Sequence, residues 1–248
     1  MKKIFFILVL AVLVLSSCAK SGVAPVPTNP PAQLSTVPPA TIALLSPKST
    51  PGPVIFQDDF KGALDGNWQW TREDNKNWSL TNNPGWLEIV VGSGSVGVGD
   101  ISNLLMRQAP SGNFELETTL KFKPTGNNQF AGLIIYESAK SYVKFGRGFC
   151  DSAQCTGDGY YMDAVSGGSV LPENSSAKAT DSDTVTLRLQ REGNLFTAFV
   201  RENGGEWKVI ITNNNSLLPL SVGLVAGQGI KTAPMPAQFD NFVINALP

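Results

Sequence analysis

DDFKGALDGNWQWTREDNKNWSLTNNPGWLEI, residues 58–89, holds Trp68, Trp70, Trp78 and Trp86, four of the chain's five tryptophans. Tryptophan combines a very large apolar surface with an N–H that must be satisfied, so it collects in cores, at interfaces and on ligand platforms. Trp68 and Trp70 are two residues apart and share one face if the segment is a strand. Turn residues cut the stretch into short pieces: Asp65-Gly66-Asn67, then Asn75 to Asn77, then Asn82 to Gly85. Short strands joined by turns are therefore the expectation here.

The pattern continues outward along the chain. Phe114 to Phe122 places Phe114, Leu116, Leu120 and Phe122 on one face and charged residues on the other, and Val185, Leu187 and Leu189 alternate likewise within Thr184 to Arg191. Both are the period-two signature of half-buried antiparallel strands. Gly193-Asn194 and Asn203-Gly204 supply the positive φ of tight hairpins between 187–189, 195–200 and 207–211. Further strands are expected at Ala131 to Tyr136, Tyr142 to Gly146, Leu220 to Ala226 and Gln238 to Ile244, and no stretch keeps a helical spacing. Many short strands separated by Gly, Pro and Asn turns predict an all-β fold of two antiparallel sheets packed face to face, from Val54 to Pro248.

Several motifs in order make a more specific case: Asp58-Asp59-Phe60, LDGNWQW, Arg72-Glu73-Asp74, NWSL and PGWLEI, then Asn103-Leu104-Leu105, Ala109-Pro110, Phe114 to Thr118, Ala131 to Tyr136, Tyr142-Val143-Lys144 and Phe239-Asp240-Asn241-Phe242. Together they resemble the concanavalin-A-like domain at the C-terminus of bacterial β-xylosidases. The resemblance implies a jelly-roll sandwich. In those enzymes the domain assists a catalytic propeller, and no such hydrolase domain lies upstream in this sequence. The chain also departs from the family pattern at Cys150 to Ala179, which reads as an inserted loop.

Upstream the composition is different. Lys2 and Lys3 precede an unbroken apolar run, Ile4 to Leu15, too short for a membrane span and matching the core of a secretory signal. Leu15-Ser16-Ser17-Cys18 resembles the bacterial lipobox, which implies cleavage after residue 17, lipidation of Cys18 and an extracytoplasmic, lipid-anchored protein at the cell surface or outer membrane. Residues 18–53 contain nine of the 17 prolines, Pro25 to Pro53, and hardly any charge. Proline fixes φ and donates no hydrogen bond, so this segment is expected to be an extended spacer with a reach of up to ~100 Å.

The chain has no histidine, which removes the Ser-His-Asp triad, the Cys-His pair and the HExxH zinc helix. Cys150 and Cys155 are expected to form a local disulfide, because two thiolates without histidine make a poor zinc site. Gly92 to Gly97 spells GxGxxG, but no helical pattern follows it, so an inter-strand loop is expected rather than a dinucleotide cradle. Glu115 and Glu117 share a strand face and are spaced as the acid and nucleophile of a retaining glycosidase would be, although alternating charge also marks a wet strand face. Asp58, Asp59 and Asp240 stand where the first and last strands should meet; a structural Ca²⁺ and simple turn capping both remain open there. Net charge is −1 over the full chain. Without the two leader lysines it falls to about −3, which gives no drive toward nucleic acid.

The expectation is a surface-anchored lipoprotein whose lectin-like, non-catalytic module binds a polysaccharide or oligosaccharide of plant type. Rigid aromatic rings match the apolar faces of sugars and planar polar groups hold their hydroxyls. Trp70, Trp78, Tyr136 and Tyr142 are the stacking candidates, with Arg72, Glu117 and Arg147 for hydrogen bonds, and Trp68 and Trp86 are assigned to the core. A jelly-roll hydrolase or lyase, and a protein-docking module that binds no sugar, are the alternatives.

Overall fold

The computed structural model describes residues 52–152, 155–171, 175–179, 181–227 and 233–248. The leader, Cys18 and the proline-rich segment through residue 51 lie outside the described residues. Within them the chain builds strands and no helix: β1 (Val54–Asp58), β2 (Gln69–Thr71), β3 (Trp78–Ser79), β4 (Leu87–Val91), β5 (Leu104–Gln108), β6 (Phe114–Lys121), β7 (Phe130–Ser138), β8 (Ser141–Cys150), β9 (Gly157–Ser166), β10 (Ser169–Val170), β11 (Ser175–Lys178), β12 (Thr184–Glu192), β13 (Leu195–Glu202), β14 (Lys208–Asn214), β15 (Ser221–Gly227) and β16 (Met235–Ala246). Every expected strand is present.

Two antiparallel sheets result. The first runs β14-β13-β12-β6-β16-β4-β3, with β1 also paired to β16; the second runs β10-β9-β8-β7-β15-β5-β2, with β11 also paired to β9. The inward residues follow the alternation read from the sequence. Phe114, Leu116 and Leu120 of β6, Val185, Leu187 and Leu189 of β12, and Leu133, Ile135, Val143 and Phe145 of β7 and β8 enter one core between the sheets. Each such side chain contributes about 1.5–3 kcal/mol by leaving water. The hairpins form at the expected dipeptides, with Gly193 at φ +60° and both Asn203 and Gly204 in the left-handed region. The GxGxxG segment is an irregular loop, as expected.

One expectation is corrected. Residues 150–179 do more than form a pinned loop: β9, β10 and β11 lie there and extend the second sheet beyond β8. The reason is a period-two pattern, with Tyr160, Met162 and Ala164 entering the inter-sheet core while Tyr161 and Val165 face the other way. Tyr160 is 1% exposed, and its hydroxyl donates to Glu202 Oε1 at 2.6 Å. Burial and this carboxylate both raise its pKa. Tyr160→Phe leaves Glu202 one donor short, an expected loss of about 1–3 kcal/mol by urea denaturation.

The motif that opens the domain is a packed corner. The Asp58 carboxylate accepts the backbone N–H of Phe60 at 2.8 Å and of Asp65 at 3.0 Å, and the indole N–H of Trp68 at 2.8 Å. Trp68 packs edge-on against Phe56 and Phe242, with centroids at 5.7 and 5.0 Å, tying β1 to β16. Phe60 sits at φ +54°, a conformation bulky residues avoid, held there by the Asp58 turn and by complete burial.

Candidate functional site

Strand alternation gives the second sheet an outer face, turned away from the inter-sheet core. Phe130, Ile134 and Tyr136 of β7, Tyr142 of β8, and Tyr161 and Val165 of β9 form a separate apolar cluster there. Val96 and Ile101, from the loop between β4 and β5, join it and cover the Tyr142 end. Toward the other end several outer-face positions are glycine. Gly132 and Gly146 are register partners, and Gly148 lies opposite both Phe130 and Gly159.

This arrangement leaves a hollow of about 230 Å³, whose lining includes Asn128, Phe130, Lys144, Gly148, Tyr161, Asp163 and both cysteines of the 150–155 pair. Cys150 and Cys155 are joined as a disulfide, with Cα atoms 5.6 Å apart. A Cβ on Gly148 would lie 3.3 Å from a Phe130 ring carbon and 3.4 Å from a Tyr161 ring carbon, so a side chain here would fill the space between the rings. The Tyr161 hydroxyl donates to Gly157 O at 2.6 Å and accepts from Thr156 Oγ1 at 3.1 Å, which fixes its ring.

Lys144 is 1% exposed although it is on the outer face. Its ammonium group lies 2.7 Å from Asp163 Oδ2 and 3.6 Å from the Phe130 ring centroid. Phe130 pairs with Gly148, four residues along β8 from Lys144, so the lysine stem leans along the strand to reach the ring. Burial, and then the charge of Asp163, push the Tyr142 hydroxyl up to about 12. The hollow thus presents the Tyr161 ring, the Asp163 carboxylate and the exposed Asn128 amide at its rim, over a wall in which the Lys144 ammonium caps the 4% exposed Phe130 ring. That set can bind and orient a neutral polyhydroxylated ring.

The model of the β-xylosidase C-terminal concanavalin-A-like domain matches residues 57–243. The chain belongs to this family. None of the curated proteins compared with it matches. Among solved structures, the GH43 protein BlXynB of Bacillus licheniformis superposes with a TM-score of 0.70 at 20% identity, covering 77% of this chain and 39% of that one. Xylan β-1,4-xylosidase of Bacillus halodurans C-125 gives 0.65 at 23% identity, over 76% of this chain and 38% of the enzyme. The β-glucanase of Bacillus licheniformis gives 0.56 at 14% identity, over 78% and 98%. These likenesses are of fold, and the module spans about two fifths of the length of the two GH43 proteins.

The β-xylosidase-type module distributes the expected ligand residues over several places. Trp70 on β2 and Trp78 on β3 are the edge strands of the two sheets, and their rings stack with centroids 4.9 Å apart, closing that side of the sandwich half-buried. Arg72 is exposed in the link between them at φ +54°. Tyr136 and Tyr142 are cross-strand partners on the outer face of the second sheet; Tyr136 is half-buried, but Tyr142 is 5% exposed and belongs to the packing beneath the loop. Arg147 corrects its expected role. It faces inward, is 0% exposed, and gives its guanidinium to Asp158 and to Ser182 O. Trp68 is in the core as expected, whereas Trp86 is half-buried outside the core cluster.

Glu115 and Glu117 do share a face, the outer face of the first sheet, but neither offers a free oxygen. Glu115 is fully buried and accepts from Gln190 at 2.7 Å and Asn245 at 3.0 Å. Glu117 is clamped by Arg188 at 2.9 Å and Arg201 at 3.5 Å, and the ring of Trp207 covers both guanidinium groups at 4.1 and 4.6 Å. An acid and a nucleophile must each reach the substrate, and in this arrangement both carboxylates are held by neighbouring side chains. Of the Asp58, Asp59 and Asp240 set, the first two carry the contacts of turn capping and a surface ion pair. Asp58 is filled by N–H donors, Asp59 pairs with Lys61 at 3.0 Å, and among the described residues no three potential ligands gather as a metal site. Phe130, Tyr161, Lys144 and Asp163 were not singled out beforehand; the alternation of Tyr161 and Asp163 against Tyr160 and Met162 is the signal that points to two of them.

Proposed function

We propose that this chain is a lipid-tethered, extracytoplasmic module that binds plant-type polysaccharide without cleaving it. The observation that carries the reading is the hollow over Gly148, which brings the Tyr161 ring, the Asp163 carboxylate and the exposed Asn128 amide together. Family membership supports a carbohydrate role, and among related structures one is named a xylan β-1,4-xylosidase and another a GH43 protein of a Bacteroides ovatus xyloglucan PUL. The leader, lipidation at Cys18 and the proline-rich spacer complete the proposal: they hold the module away from the bilayer, where a polymer can reach it.

The test is titration of the mature chain with xylan, arabinoxylan, xyloglucan and mixed β-glucan oligosaccharides, with product analysis of each mixture. Binding without shortened products is the expected result. Tyr161→Ala should weaken it at least tenfold, since one sugar face loses its ring. Binding by no glycan, or binding that Tyr161→Ala leaves unchanged, would sink the reading. Radiolabelled lipid precursor should label the wild type and not Cys18→Ser.

A further inference from the structure

We infer that the hollow takes a single terminal sugar ring, so that the module recognises polysaccharide chain ends and not the middle of a chain. The inference rests on the carbohydrate reading of this site and adds what part of the polymer enters it. A hollow of about 230 Å³ is smaller than the roughly 300–1,000 Å³ of sites for drug-sized molecules. It has room for one ring, not for a run of linked rings.

Its walls decide how that ring must enter. An internal residue of a polysaccharide continues in two directions and needs a groove open at both ends. Along β8 the floor is blocked at one end by the disulfide at Cys150. At the other the Lys144 ammonium lies across it, set 2.7 Å from Asp163 and 3.6 Å from the Phe130 ring centroid. Gly148 and Cys150 are two residues apart on this strand, about 7 Å. Phe130 and Tyr161 stand on the two flanks. The remaining way in is from solvent above, which admits a chain by its tip, with the ring against Tyr161 and its hydroxyls at Asp163.

Isothermal titration of the mature chain with oligosaccharides of increasing length, two to eight units of the best-binding glycan and then the polymer, tests this. End recognition predicts one module bound per carbohydrate molecule at every length, with an affinity per molecule that stops rising after about three units. Gly148→Val, which fills the space between the rings, should abolish that binding while the far-ultraviolet circular dichroism and a cooperative urea transition still report a folded sandwich. Several modules per polymer, or an affinity that climbs steadily with length, overturns chain-end recognition and leaves carbohydrate binding standing. Normal binding by a folded Gly148→Val overturns the assignment to this hollow. Absence of binding to any length overturns both inferences, and the three results are distinguishable in one titration series.

Discussion

Asp158→Ala is expected to lower the stability of the module by about 3–5 kcal/mol, the largest effect of any single substitution considered. Arg147 is 0% exposed and lies on the inward side of β8, in line with Val143 and Phe145. It is tolerated there because Asp158 receives it as a fork, Nε to Oδ1 at 2.8 Å and Nη2 to Oδ2 at 2.6 Å, while Nη1 donates to Ser182 O at 2.5 Å. Burial alone would depress the guanidinium, but the hydrogen bond and charge of Asp158 reverse this and its pKa is raised. Remove Asp158 and a full positive charge stays in the sandwich with the Ser182 carbonyl and the weaker pull of Asp183.

The reciprocal change is milder. Arg147→Met leaves Asp158 with a side chain 26% exposed, so water solvates the orphaned carboxylate, and methionine fills apolar space. The double variant should recover much of the loss, because replacing a buried pair by apolar groups is close to neutral. Urea denaturation of the three variants provides the check. A cost below about 1 kcal/mol for Asp158→Ala would show that the charge finds another partner or reaches water.

The same pair shows why the fold was more legible than the site. Two-residue alternation is a property of each segment by itself, so Phe114 to Phe122 and Thr184 to Arg191 declare an inward face without any knowledge of their neighbours. Arg147 obeys that alternation too, but a charged residue in a Gly-Arg-Gly setting reads as solvent-facing until its partner is known, and Asp158 lies on the next strand across a turn. Trp70 and Trp78 were legible as rings that act together, and they do stack; that they close the edge between two sheets depends on β2 and β3 being terminal in each, which only the pairing order reveals. The hollow was hidden for a similar reason. It lies over the absent side chain at Gly148, between rings contributed from β7 and β9 on either side of β8.

Cys150→Ser with Cys155→Ser, or reduction of the native disulfide by a dithiol, is expected to cut sugar affinity at least tenfold while costing about 2 kcal/mol of stability. The two effects have separate origins. A crosslink between cysteines only five positions apart closes a short loop, and the chain entropy removed from the unfolded state by so small a loop is at the low end for disulfides. The inter-sheet core contains neither cysteine, so it persists without the bond. The hollow, however, counts both cysteines in its wall. Freed from each other, residues 150 and 155 no longer hold the end of the hollow against the Phe130 and Tyr161 rings, and the ligand loses a preformed boundary that it would have to order for itself. Parallel measurement of the urea midpoint and of glycan binding, with and without dithiol, separates these consequences. If the reduced module binds as tightly as the oxidised one, the disulfide is a loop staple alone and the closed end of the site must be built by other residues.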